Sequence, residues 1–292
     1  SPGFSKRVVD ALAAADPVKI HYVAPTVWAW KPKRVHAFKA RYDRLLCLLP
    51  FEPPYFEAVG LDAPFVGHPI LEAGADAGDG PAFRARHGIA DGAPLLCLLP
   101  GSRRGEVRRL LPVFADTVRL LAAGHPDLQV AIPSVPHLAD EISAAVADWP
   151  VPATILRGAG EKYDAMAASD MALAASGTVA LELALAGVPT VIAYCLNPLT
   201  FWAIDRMTSV DHVHLCNIMA KRELVPERLQ GRCRADILAA DLEAMLAGVG
   251  ADQRATLKPY LDALTPPQGS PSLAAADAVL QAVEARTVEA GR

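Results

Sequence analysis

The sequence predicts an α/β protein with parallel sheets in two lobes, on three observations. Short apolar runs of strand length alternate with longer amphipathic segments up to about residue 194. The apolar run LLCLLP occurs twice, at 45–50 and 95–100, each copy leading into a turn-rich loop. Between the two copies, AGADAGDGP (73–81) shows no periodicity and reads as a linker. The boundaries follow: 1–72 a first lobe, 82–200 a second, and 201–292 a helical region packing back on the lobes or on a partner subunit.

In the first lobe a helix is predicted near 5–15, then a strand in VKIHYVA, a helix in KPKRVHAFKARY, a strand in RLLCLLP, a helix after FEPP and a short strand in APFVGHP. The chain opens at Ser1 on a loop and helix with no strand before them, so this lobe is expected to be incomplete. The second lobe reads as successive βα units: PLLCLLPGSRRGEV and a helix to about 122, LQVAIPS and a helix near 138–147, ATILRG and a helix across 161–168, then MALAA, a further helix and PTVIAY. PFEPP and PGSRRGE are loops at carboxyl ends of strands, where open α/β sheets bind ligands. Two lobes facing a shared cleft would suit a nucleotide-dependent transferase.

Composition narrows the function. A net charge of −4 argues against bulk nucleic-acid binding, yet residues 1–44 hold nine Lys and Arg against three Asp. That stretch is either a solvated face or a surface for phosphate or acidic headgroups. The five cysteines are an odd number without a paired motif, consistent with reduced core thiols and a cytosolic chain. No apolar stretch reaches the ~20 residues of a spanning helix, and no signal peptide opens the sequence, so membrane contact is expected to be peripheral.

Two segments look built for anions. PGSRRGEV (100–107) sets a turn glycine, Ser102 and Arg103 between a strand and a helix start, where backbone amides and a guanidinium both favour phosphate. It is not a Walker loop. SGTVALE (176–182) repeats the arrangement with Ser176, Gly177 and Thr178, and then places Glu182 inside an apolar run. That carboxylate either faces solvent or reaches back toward the helix start to take ribose hydroxyls of a nucleotide whose phosphates sit on the Gly177 and Thr178 amides. HVHLC (212–216) would align His212, His214 and Cys216 if it were a strand, but it lacks the spacing and fourth ligand of a zinc site. The neighbouring Asn217 is the better site candidate. His68 in VGHP is open as acid, base or packed strand-end residue. Trp28 and Trp30, with Lys31, Lys33 and Arg34 behind them, form a core corner or an acceptor site with apolar and anionic parts. Phe201 and Trp202 in PLTFWAIDRM suggest an interlobe, intersubunit or lipid contact.

Together, YVAPTVWAWKPKRV, LLPFEPPYFEAVG, FVGHP, LLPGSRRGEV, ASGTVALELALAGVPTVIAY, NPLTFWAIDRM and HLCNIMAKRELVPE resemble the bacterial lipid-A-disaccharide synthases, over residues 1 to about 230. The resemblance implies a GT-B glycosyltransferase with two Rossmann-like lobes, the N-terminal one incomplete here. Its reaction would carry 2,3-diacylglucosamine from the UDP derivative to the 6-hydroxyl of 2,3-diacylglucosamine 1-phosphate and release UDP. It implies no cofactor and no metal, a homodimer with exchanged C-terminal segments, and a cytoplasmic enzyme peripheral on the inner membrane face. By motif, Arg103 and Asn217 match positions the family uses for activity, while Ser176, Gly177, Thr178 and Glu182 match its UDP loop. The family's catalytic aspartate would precede Ser1, and Leu215-Cys216 stands where Leu-Pro is usual. A UDP-sugar epimerase and a non-catalytic lipid-headgroup binder are the alternatives.

Overall fold

The computed structural model describes residues 2–158, 160–196, 206, 208 and 210–290. Phe201 and Trp202, and the contact expected of them, lie outside the described residues. The chain divides into two compact units: Ser1–Glu72, Asp205–Ser209 and Asp262–Arg292 form one, and Ala73–Ile204 with Val210–Leu261 the other.

The first unit opens with α1 (Pro2–Ala11), followed by β1 (Ile20–Tyr22), α2 (Arg34–Lys39), β2 (Arg44–Leu46) and α3 (Pro53–Glu57). β1 and β2 pair in parallel, with Ile20 opposite Arg44. The predicted strand in APFVGHP is reduced to isolated parallel bridges, Arg44 to Asp62 and Cys47 to Phe65. The reason is local: Pro64 lacks an amide for a ladder and Gly67 has φ +79°. A Cβ on Gly67 would also crowd the Leu264 carbonyl at 3.0 Å, so this turn packs directly on the returning chain. That return ends in α12 (Pro271–Ala290; the intervening helices are given below). Ala278 of α12 is buried with Leu46, Leu48 and Val66, and its carbonyl accepts from Arg44 Nη1 at 2.5 Å.

The second unit starts with α4 (Gly80–His87), N-capped by Asp79, whose carboxylate accepts from the Ala82 amide at 2.9 Å. The end of the Gly/Asp stretch expected as a linker is thus a helix cap packed on the following structure, since a Cβ on Gly78 or Gly80 would run into the backbone of residues 163–168. Then come β3 (Leu95–Leu99), α5 (Arg104–Gly124), β4 (Gln129–Ser134), α6 (Pro136–Val146), β5 (Ala153–Arg157), α7 (Lys162–Ala168), β6 (Met171–Ala175), α8 (Thr178–Ala186) and β7 (Thr190–Tyr194). Beyond residue 209 lie α9 (Leu215–Ala220), β8 (Glu227–Leu229), α10 (Ala235–Leu246) and α11 (Gln253–Asp262).

The six strands pair in parallel in the order β5-β4-β3-β6-β7-β8. β3 and β6 are buried along their whole length, which explains why they read as unbroken apolar runs rather than alternating ones. The core sits between this sheet and α5, α6 and α10, centred on Leu98, Phe114, Val118, Ile132 and Leu173. β8 is an addition to the sequence reading: three residues in a region expected to be helical complete the sheet edge. Among the described residues no helix is long and apolar enough to cross a membrane.

Candidate active site

Strand order determines where a ligand can sit. From β3 the chain proceeds outward to β4 and β5, then returns to the other side of β3 with β6, so the order reverses between β3 and β6. A crevice forms at the carboxyl ends of strands flanking such a reversal. Leu99 pairs with Ala174 at that end, so the two loops that leave it are 100–103 and 176–177, the two expected to bind anions.

The first loop is shaped by Gly101, at φ +110°, where a Cβ would fall 2.8 Å from Glu106 Oε2 and 2.9 Å from Glu106 Cβ. This close approach lets Glu106 cap α5. Its Oε2 accepts from the Arg103 amide at 3.3 Å, and its Oε1 from Arg103 Nη1 at 2.6 Å. The Arg103 side chain remains 80% exposed, so one face of the guanidinium is latched and the rest is available. Ser102 is exposed beside it. Tyr194, half-buried at the end of β7, joins the group: burial raises its phenol pKa, Glu106 raises it further, and Arg103 and Arg109 oppose that shift.

The second loop requires glycine for conformation alone. Gly177 has φ +150° and a Cβ there would meet no atom within 4 Å. Gly177 and Thr178 are exposed and Ser176 is half-buried, so the first turn of α8 is open to solvent. Glu182 follows one turn later and is neither the solvent-facing carboxylate nor an unoccupied one. Its side chain is 13% exposed, and Oε1 accepts from Lys162 Nζ at 2.8 Å and from the Tyr163 hydroxyl at 3.0 Å.

Residues 212–217 form a loop and helix start rather than a strand, so the three would-be zinc ligands do not share a face. Among the described residues no group of His, Cys, Asp and Glu could hold a metal ion. Glu227 of β8 organises the segment: it accepts from the amides of Val213 (3.0 Å) and His214 (2.6 Å), from Asn217 Nδ2 (2.9 Å) and faces His212 Nδ1 (3.3 Å). Asn217 is fully buried. Its Nδ2 also donates to the Val225 carbonyl at 2.8 Å, and its Oδ1 accepts from the Leu224 and Val225 amides. His214 caps α9 through Nδ1, which accepts from the Cys216 amide at 3.2 Å, while Nε2 lies 3.4 Å from the Ala180 carbonyl of α8. Burial lowers its pKa to about 4, so it is neutral at pH 7, and its ring ties the loop to α8.

In the first unit, Glu52 of the FEPP turn is buried and holds Trp28 Nε1 at 3.2 Å and the Leu48 and Leu49 amides at 3.1 Å each. Burial raises its pKa, and these three bonds oppose the rise. Trp28 is therefore part of a core corner, whereas Trp30 is 41% exposed with Lys31 Nζ 4.7 Å from its ring centroid. His68 accepts from the Ile70 amide through Nδ1 at 3.1 Å and caps the turn Pro69–Glu72; burial lowers its pKa. Sequence reasoning overlooked Lys162, Tyr163, Tyr194 and Glu227. A Lys-Tyr pair directly after the β5 loop, facing the same sheet end, was the available signal for the first two.

A parallel sheet whose strand order reverses between β3 and β6, with a glycine turn leaving each of those strands, in a chain that also carries a second α/β unit, fits the architecture of the GT-B glycosyltransferases. Solved structures of that class match: WaaG, a glycosyltransferase involved in lipopolysaccharide biosynthesis (TM-score 0.55, 14% identity, 94% of this chain and 80% of that one), and the spinosyn rhamnosyltransferase SpnG complexed with thymidine diphosphate (0.55, 15%, 95% and 76%). The LpxB family model, lipid-A-disaccharide synthetase, matches residues 1–262, and the chain belongs to that family. Lipid-A-disaccharide synthases of Rhodospirillum centenum and Paramagnetospirillum magneticum are 52% and 48% identical, over 99% and 95% of this chain and 73% of each of those proteins. The protein is thus a glycosyltransferase of lipid A biosynthesis. A UDP-GlcNAc 2-epimerase from Neisseria meningitidis shares the fold at 10% identity (TM-score 0.52, 86% of this chain and 74% of that one), so fold alone did not exclude the epimerase alternative, and family membership does.

Proposed function

We propose that the enzyme binds UDP-2,3-diacylglucosamine at the β3/β6 crevice and transfers the sugar to the 6-hydroxyl of 2,3-diacylglucosamine 1-phosphate. The observation that carries this reading is the pairing of two anion loops on adjacent strand ends with Glu182 one turn into α8. The diphosphate lies on the amides of Gly177 and Thr178 and on the Arg103 side, with Ser102 and Ser176 as hydroxyl contacts, and the ribose donates to Glu182. As the acceptor hydroxyl gives its proton to a general base and its oxygen bonds to the anomeric carbon, the carbon–oxygen bond to the diphosphate breaks and negative charge collects on the leaving oxygen. Arg103 and the two helix starts stabilise that charge. Asn217 acts indirectly, by holding residues 212–225 on β8 and next to α8.

The enzyme works on the cytoplasmic face of the inner membrane as a homodimer, with Trp30, Lys31, Lys33 and Arg34 turned to anionic headgroups or to the acceptor phosphate. Calorimetry with UDP tests the donor site. A charge-assisted hydrogen bond is worth roughly 1.5–3 kcal/mol, so Glu182→Gln is expected to weaken UDP about ten- to hundredfold. Equal affinities for variant and wild type would remove Glu182 from the site.

A further inference from the structure

The carboxylate assigned to the ribose is held by two groups that the transfer reaction does not use. Lys162 and Tyr163 are the first two residues of α7, twenty and nineteen positions before Glu182, and both donate to the same atom, Oε1, at 2.8 and 3.0 Å. Lys162 Nζ also lies 4.5 Å from the Tyr163 ring centroid, so ammonium, phenol and carboxylate form one closed set. Burial raises the Tyr163 pKa first and the bond to Glu182 raises it further, which keeps the hydroxyl protonated and donating. The set is mostly shielded, with Lys162 22% and Glu182 13% exposed.

Two physical consequences follow. The terminal torsion of a glutamate is broad and roughly two-fold, so a free carboxylate samples many orientations. Two donors converging on Oε1 fix the carboxylate plane and direct Oε2 away from them. A bare carboxylate beside a diphosphate site would also repel the ligand, and the ammonium at 2.8 Å offsets that charge without entering the phosphate loops. Lysine suits this role, since its charge is a compact point at the end of a flexible stem.

We infer that Lys162 and Tyr163 are positioning residues for nucleotide selection: they set Glu182 so that Oε2 receives the ribose 2′-hydroxyl, which makes the donor site prefer ribonucleotides to 2′-deoxyribonucleotides. This rests on the donor-site reading above. A site built to accept a hydroxyl rejects the analogue that lacks it, and the rejection depends on the acceptor being held in place.

The experiment measures UDP and 2′-deoxy-UDP binding by calorimetry for wild type, Lys162→Met, Lys162→Arg and Tyr163→Phe, with thermal unfolding as the check on folding. Wild type is expected to prefer UDP by about tenfold or more, the worth of one charge-assisted hydrogen bond. Lys162→Met and Tyr163→Phe each reduce that preference to about threefold or less, and Lys162→Arg retains most of it. A role confined to stability would lower the unfolding temperature and leave the UDP to deoxy-UDP ratio unchanged, which would overturn the inference. So would a wild type that binds both nucleotides equally. A wild type that binds neither would instead overturn the donor-site reading itself.

Discussion

Acid should release the second unit through His214. The imidazole is 2% exposed, its pKa falls from 6.5 to about 4, and the cause is burial, opposed by the hydrogen bond to the Ala180 carbonyl. The unfolded chain therefore binds a proton between these two values that the folded chain refuses. The stability contributed by the neutral ring is complete above pH 6.5 and is lost as pH falls toward 4. Integrating the linkage gives a loss of about 2 kcal/mol by about pH 5, and of order 3 kcal/mol at the limit. The perturbation is His214→Asn, which keeps an acceptor for the Cys216 amide but cannot titrate. Urea unfolding followed by tryptophan fluorescence, to which Trp149 in the core of that unit contributes, reads the effect at about pH 7.5 and about pH 5. Wild type should lose about 2 kcal/mol more than His214→Asn between the two conditions, whatever the variant costs at neutral pH. Parallel losses in the two proteins would show that His214 is not the group that takes the proton, and the geometry assigned to it would be wrong.

Arg103→Ala should lower kcat more than it raises the donor KM, since charge on the leaving oxygen grows toward the transition state; steady-state kinetics decide, and a rise in KM alone would reduce Arg103 to a uniform binding group. Gly101→Ala puts a Cβ on Glu106 at a positive φ, so it should cost more than about 1 kcal/mol in chemical unfolding and weaken UDP through the displaced α5 cap. Glu227→Ala strips the partner from the buried His214 amide and the partly buried Val213 amide and removes one of the two acceptors of Asn217 Nδ2, and should destabilise by about 3–5 kcal/mol, checked by urea midpoint; a loss under about 1 kcal/mol would mean the 212–217 segment holds itself.

The strands of the second unit were legible because they are buried on both faces and flanked by turn residues, so Leu95–Leu99 and Met171–Ala175 leave little choice of conformation. The two turns at the strand ends were legible for the same kind of reason, since glycine at 101 and 177 marks positive φ. What could not be read is contact between distant segments. The partner of Glu182 lies twenty residues upstream on another helix, and nothing local to VALELALA indicates a lysine and a tyrosine facing it. Asn217 was readable as a hydrogen-bonding site residue, but the partners that bury it depend on β8, a three-residue strand too short to carry a periodic signal. The strand misread at APFVGHP shows the converse error, an apolar segment whose proline and glycine outweighed its side chains.

The first unit is discontinuous in sequence, and this sets an order on its making. The Glu72 carboxylate accepts from the Ser272 hydroxyl at 2.7 Å across 200 residues, and Ala278 closes over β2 and Val66. At about 5–20 residues per second, a ribosome needs roughly 10–40 s to travel from the first of these partners to the second. Throughout that interval the segment Ser1–Glu72 is outside or near the exit tunnel with part of its core uncovered, while the whole of Ala73–Leu261 is delivered and can fold. The second unit is thus finished before the first, which waits for its C-terminal segment. Chaperone capture in the cell, on this view, falls chiefly on the segment Ser1–Glu72.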